Sequence, residues 1–170
     1  MDKKKALVIG LGYIGLPTAS LLANNNYYVC GVDIDKSIVD TINQGKAHIV
    51  EPHLDRYVKN AIKNKYLKAS LVPEESDVFI IAVPTPFHDE YIPNIDYVLD
   101  AAKSIAPFIK DDNIIILEST SPVGTTEKLQ EILKEEGVNV DEVHIAYCPE
   151  RVLPGNIMEE LVENDRIIGG

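Results

Sequence analysis

Apolar positions along the chain alternate between two rhythms. Ala6-Leu7-Val8-Ile9, Tyr28-Val29-Cys30-Gly31-Val32, Val78 to Val83, Ile114 to Leu117 and Val143 to Tyr147 are short, uninterrupted apolar runs. A strand that is apolar at every position is covered on both faces, the condition of a parallel sheet flanked by helices. Between these runs the period lengthens to that of a helix. Leu54, Tyr57, Val58, Ala61 and Ile62 share one helical face, with Pro52 suited to the first turn. Val98, Leu99, Ala102, Ile105 and Ala106 make a second stripe. Leu129, Ile132 and Leu133 make a third, which begins near Thr125 or Thr126 and stops at Gly137. A shorter helix is predicted from Lys36 to Asn43 and a further strand from Leu67 to Val72, while Arg166 to Gly170 reads as a strand entering another element. This order predicts one α/β domain with a doubly wound, mostly parallel sheet.

Charge narrows the partners. The 170 residues carry 16 Lys+Arg against 27 Asp+Glu, a formal net charge of −11. Such a surface repels phosphodiester backbones and anionic lipid, so neither nucleic acid nor a membrane is the expected partner. Cys30 and Cys148 lie far apart, and His48, His53, His88 and His144 show no paired ligand spacing, so no disulfide framework or metal site is expected. Lys3-Lys4-Lys5 and the apolar residues to Leu16 imitate a leader, but Gly10, Gly12 and Gly15 interrupt the run. No apolar stretch approaches the roughly 18–20 residues that span a bilayer. The expected location is the cytoplasm.

Gly10-Leu11-Gly12-Tyr13-Ile14-Gly15 fits G-x-G-x-x-G, between an apolar strand and an amphipathic helix, and Asp33 closes the next strand. In this setting the pattern describes a dinucleotide-binding turn of a Rossmann fold. Gly10 permits the tight turn, Gly12 lets the backbone approach a pyrophosphate, and Gly15 lets helix and strand pack closely. The N–H groups of Tyr13 and Ile14 face the pyrophosphate at the positive helix end. Asp33 accepts from the adenosine ribose hydroxyls, in charge-assisted bonds worth roughly 1.5–3 kcal/mol each. Asp33 and Asp35 place two carboxylates where a 2′-phosphate would sit, which favours NAD over NADP.

Ligands of open α/β sheets sit outside the carboxyl ends of the strands. Three further ends carry unusual residues here: Val83-Pro84-Thr85-Pro86, Glu118-Ser119-Thr120-Ser121-Pro122-Val123-Gly124-Thr125-Thr126, and Cys148-Pro149-Glu150-Arg151-Val152-Leu153-Pro154-Gly155. Each alone is ordinary turn chemistry. Three on one sheet edge, beside a dinucleotide turn, point to a site.

Together with Gly31-Val32-Asp33, His48-Ile49-Val50-Glu51-Pro52 and Ile81 to Phe87, these segments resemble the N-terminal domain of the UDP-glucose/GDP-mannose dehydrogenase family along the whole chain. The resemblance implies an NAD-binding Rossmann domain over residues 1–170, with the family's central helix and nucleotide-sugar domain lying beyond it. It implies oxidation of a UDP-sugar's primary alcohol to a carboxylate, reducing two NAD in turn through a cysteine-bound thioester. Tyr13, Ile14, Asp33, Thr85 and Thr126 would then contact NAD, and Arg151 and Val152 the nucleotide sugar. Thr120 and Glu150 match family residues that position the hydrolytic water and assist proton transfer. The Tyr147 to Gly155 segment favours UDP-N-acetylmannosamine, with UDP-glucose and UDP-N-acetylglucosamine left open. UDP-glucose members carry a second carboxylate where this chain has Pro154. The family's nucleophilic cysteine and its lysine belong to segments past residue 170, so the chain is expected to bind cofactor without turnover, and a homodimer is expected of the full-length protein.

Other residues read more plainly. Cys148 and Cys30 are expected to be core, His88 a solvated loop residue near the Thr85 turn, and Glu131, Glu135 and Glu136 a solvated helix face. Glu51-Pro52 begins a helix. A rival of another class is a dinucleotide-sensing regulatory domain, which needs the glycine turn and Asp33 but has no use for Thr120, Glu150 or Arg151. A hydroxyacid or phosphogluconate dehydrogenase shares the first turn and does not predict Pro149-Glu150-Arg151.

Overall fold

A computed structural model describes residues 4–87 and 92–170; His88 lies outside the described residues. Six parallel strands form one sheet: β1 (Lys5–Ile9), β2 (Tyr28–Val32), β3 (Leu67–Ser70), β4 (Val78–Ile81), β5 (Ile114–Leu117) and β6 (His144–Tyr147). Their order is β3-β2-β1-β4-β5-β6. The chain winds outward from β1 in one direction and then, from β4, in the other, so the reversal falls between β1 and β4. The crevice outside their carboxyl ends is where this topology holds ligands.

Successive side chains of a strand point to opposite faces, and both faces here are apolar. Ala6, Val8, Val29 and Ile80 face one core with Leu16, Ala19, Val58 and Met158. Leu7, Ile9, Phe79, Ile81 and Leu117 face the other with Ile105, Leu129 and Leu133. The first core lies under α1 (Gly15–Asn24), α2 (Lys36–Asn43), α3 (Leu54–Lys63) and α6 (Ile157–Glu163); the second lies under α4 (Asp96–Ile105) and α5 (Thr125–Glu135). The predicted fold class is the one observed.

The departures from the pattern have local causes. The helix after the glycine turn is not amphipathic: Gly15 to Ser20 and Ala23 are all buried, because α3 and α6 cover the side that would otherwise meet solvent. β3 ends at Ser70, where the Ser70 hydroxyl donates to the Val72 carbonyl (2.8 Å) and accepts from the Val72 N–H (3.1 Å), turning the chain before Val72. Helix α6 was absent from the pattern because only Ile157, Met158 and Leu161 of its seven residues are buried. The tail is not the strand expected over Arg166 to Gly170: it meets the sheet through an isolated antiparallel bridge of Tyr147 with Gly169. Among the described residues no helix is long and apolar enough to cross a membrane.

Candidate functional site

The glycine turn joins β1 to α1 at the reversal point. Gly10 has φ +86°, and a Cβ there would stand 2.5 Å from the Ala82 carbonyl oxygen on the neighbouring strand end. A Cβ on Gly15 would stand 1.7 Å from the Gly10 carbonyl oxygen. Both glycines are therefore required by the protein's own packing. Gly12 is different: a Cβ there meets nothing within 4 Å. Asp33 fastens the turn, accepting from the Leu11 N–H through Oδ2 (3.0 Å) and from the Asp35 N–H through Oδ1 (2.9 Å). Each carboxylate oxygen keeps a lone pair for a further donor. Tyr13 is half exposed over the turn.

Asp35 has a duty that its spacing did not disclose. It caps α2, accepting from both the N–H and the hydroxyl of Ser37 at 2.7 Å, and these bonds lower its pKa. His48 sits within electrostatic reach of Asp33 and Asp35, which raise its pKa, while the larger effect of partial burial lowers it. Its neighbour Glu51 is buried and does not begin a helix as expected, since α3 starts only at Leu54. Its two oxygens accept from the N–H groups of Gly155 and Ile157, each at 2.8 Å, binding the loop before α3 to the loop after β6.

The ends of β4 and β5 are laced together by hydroxyls. Thr85 donates to the Thr120 carbonyl (2.7 Å), and Ser119 donates to the Val83 carbonyl (2.8 Å). Ser121 donates its N–H to the Tyr147 hydroxyl at 3.2 Å, which extends the lacing to β6. Thr120 and Arg151 are exposed and Val152 is half-buried. Thr126 lies on the far side of this edge, in a cleft of about 510 Å³ between α5 and β6 whose lining includes no residue of the glycine turn.

Beneath the exposed residues two buried acids, a threonine and a partly exposed arginine come together from four separate segments. Glu118, only 3% exposed, closes β5. The Thr18 hydroxyl of α1 is 3.2 Å from each of its carboxyl oxygens. Arg166 ion-pairs with Glu150 and, at 3.5 Å, with Glu118, so one guanidinium joins the two acids. The same guanidinium lies 3.8 Å from the Cys148 sulfur. Burial, then the charge of Glu150, pushes Glu118 up to about 8, against the opposing charge of Arg166. Cys148 is buried, as expected, but it does have a nearby cation; no residue close in sequence announced it. Cys30 is core too, its thiol pushed up to about 11 chiefly by burial.

The described geometry brings together Gly10, Gly12, Gly15 and Asp33 as one turn, and Thr85, Thr120 and Glu150 along the adjoining strand ends. Residues 4–170 match the model of the UDP-glucose/GDP-mannose dehydrogenase family, NAD binding domain. The chain belongs to this family. Its UDP-N-acetyl-D-mannosamine dehydrogenase from Campylobacter jejuni is 56% identical over 176 residues, covering 98% of this chain and 43% of the relative. An NDP-N-acetyl-D-galactosaminuronic acid dehydrogenase of Ralstonia solanacearum is 50% identical over 179 residues, covering 100% of this chain and 42% of the relative. Among solved structures, the UDP-N-acetyl-mannosamine dehydrogenase Cap5O from Staphylococcus aureus superposes with TM-score 0.92 at 44% identity, covering 98% of this chain and 41% of that one. The chain thus spans about two fifths of the length of these relatives. The residues present fit the family's dinucleotide: the open space over Gly12 is where a Cβ would obstruct a pyrophosphate, and Asp33 stands beside it with acceptor capacity to spare.

Proposed function

We propose that this chain is the NAD-holding part of a nucleotide-sugar 6-dehydrogenase that oxidises UDP-N-acetyl-D-mannosamine to the corresponding uronate with two NAD. The observation that carries the reading is the emptiness around Gly12. Its neighbours Gly10 and Gly15 are demanded by the chain's own atoms, whereas the missing side chain of Gly12 answers to nothing in the protein and leaves room for a ligand's diphosphate. NAD supplies the hydride acceptor. The chain's residues bind and orient it: amides of Tyr13 and Ile14 toward the diphosphate, Asp33 toward the ribose, Thr85 at the end of β4, and Thr126, set apart from the glycine turn in the first turn of α5, toward a more distant part of the cofactor. Arg151 and Val152 are assigned to the sugar nucleotide, and Thr120 and Glu150 to the hydrolytic water and its proton. Residues beyond this domain would supply the nucleophile and the sugar-binding surface. The similarity to mannosamine dehydrogenases supports the choice of sugar.

A sensing domain would not need Thr120, Glu150 and Arg151 on the adjoining strand ends, which favours the catalytic reading. Calorimetry of the purified chain should give NAD binding and no measurable NADP binding; equal affinity for the two would remove the cofactor assignment. In the full-length protein, NADH formation should depend on UDP-N-acetylmannosamine. Faster turnover of UDP-glucose would reassign the substrate, and no turnover with any UDP-sugar would return the domain to sensing.

A further inference from the structure

Glu118 has no part in the reading above, yet it is among the most deeply buried ionisable groups described. Its surroundings are not those of a simple ion pair. From α1, Thr18 offers one hydroxyl to both carboxyl oxygens. From the segment after β6, Glu150 pairs with the same guanidinium that reaches Glu118, which brings the two carboxyls together. From the tail after α6, Arg166 reaches both acids, and it lies closer to Glu150 than to Glu118. Two carboxylates sharing one guanidinium leave a surplus negative charge on acids that water barely reaches, which is unfavourable. One proton shared between the acids removes that surplus: the protonated acid donates, the other accepts, and Arg166 balances the remaining charge. The acid farther from Arg166 and more deeply buried is the one that keeps the proton, and that is Glu118.

We propose that Glu118 is a positioning residue for Glu150, a neutral carboxylic acid that donates its proton in a hydrogen bond to the Glu150 carboxylate and holds it against Arg166. The inference deepens the proposed function, because Glu150 is the group there assigned to proton transfer. A donor beneath it fixes which oxygen is occupied and leaves the other available. Glu118 also stores a proton beside the reacting edge and gives it up in the alkaline range, where burial has moved it. Thr18 matters as a support: its hydroxyl can either donate to Glu118 or accept from it, so it tolerates both protonation states.

The test locates the proton without substrate. With ¹³C-labelled glutamate carboxyls in the intact chain, Glu118 should remain protonated at pH 7 and titrate near 8, and the Glu150 signal should show a step at the same pH. In Glu118→Gln, which keeps a donor and nearly the same volume, the Glu150 step should vanish while NAD affinity stays within about twofold of wild type, a difference under ~0.5 kcal/mol. A Glu118 that ionises with ordinary carboxyls below pH 5 overturns the proposal. So does a high-titrating Glu118 whose ionisation leaves the Glu150 signal unmoved, since that describes a merely buried acid. In the sugar-oxidising assay of the full-length protein, Glu118→Gln should move the alkaline limb of the kcat profile by at least about one pH unit, with KM for NAD little changed. An unmoved limb counts against the positioning role. Failure of NAD to bind the wild-type chain would instead sink the proposed function and leave the proton's location standing.

Discussion

The molecule presents two differently built regions along one sheet edge. The glycine turn is made of backbone. Gly10 and Gly15 are held by contacts no side chain could survive, and the one carboxylate involved, Asp33, accepts one neighbouring amide on each oxygen. The β5–β6 end is made of charges, the buried acids Glu118 and Glu150 and the partly exposed Arg166, gathered from segments up to 48 positions apart in the chain. A backbone-built region has one shape and tolerates changes of pH. A charge-built region has a shape that depends on where its protons are. Binding of a dinucleotide needs the first property, and moving a proton beside a substrate needs the second.

Perturbing each region should expose that contrast. The largest effect is expected from Gly15→Ala, whose Cβ would overlap the Gly10 carbonyl oxygen at 1.7 Å. Denaturant unfolding should show a loss of about 3 kcal/mol or more, since backbone must move to relieve the clash. A loss below 1 kcal/mol would mean the turn is looser than described. Next is Glu51→Ala, which cuts the link between the loop before α3 and the loop after β6 and strands the amides of Gly155 and Ile157. The buried Ile157 amide alone costs roughly 1–3 kcal/mol, while the exposed Gly155 amide can turn to water. Proteolysis should then cleave near Gly155 first.

Asp33→Ala should weaken NAD roughly tenfold by calorimetry, the loss of about one charge-assisted bond. It also releases the Leu11 and Asp35 amides, so a modest fall in Tm should accompany it. The charge-built region should answer to pH. Glu118 is raised from 4.5 to about 8 in the folded chain, so between those values the native state holds a proton that the unfolded chain has given up. Its contribution is full below about pH 4.5 and is lost as pH rises through 8. The slope is at most about 1.4 kcal/mol per pH unit. Wild type should therefore lose stability relative to Glu118→Gln across that window, and parallel pH–stability curves would contradict it. The smallest effect on stability, under about 1 kcal/mol, is expected of Gly12→Ala, because nothing in the chain contests the new methyl. Its NAD affinity should nonetheless fall. That pairing of intact fold and impaired binding sets Gly12 apart from Gly15.

Local pattern carried much of this. The apolar runs that became β1, β2 and β5 are legible because a strand buried on both faces has no polar positions to blur it. The turn is legible because glycine spacing is itself the geometry. Helix α6 escaped, being too short to show a period, and so did the capping role of Asp35 and the bridging role of Glu51, which depend on where amides end up.

What one-dimensional order decided, then, was the sheet, its winding and the dinucleotide turn, all consequences of neighbours within a few residues or of a repeating period. What folding in three dimensions decided was charge. Glu118 reads in the chain as one polar residue among several at a strand end, and Arg166 as part of a terminal strand. Only when α1, β5, β6 and the tail converge do the two buried acids share one guanidinium, itself still partly open to water. Protonation is set by distance and solvation, and neither is a property of any residue alone.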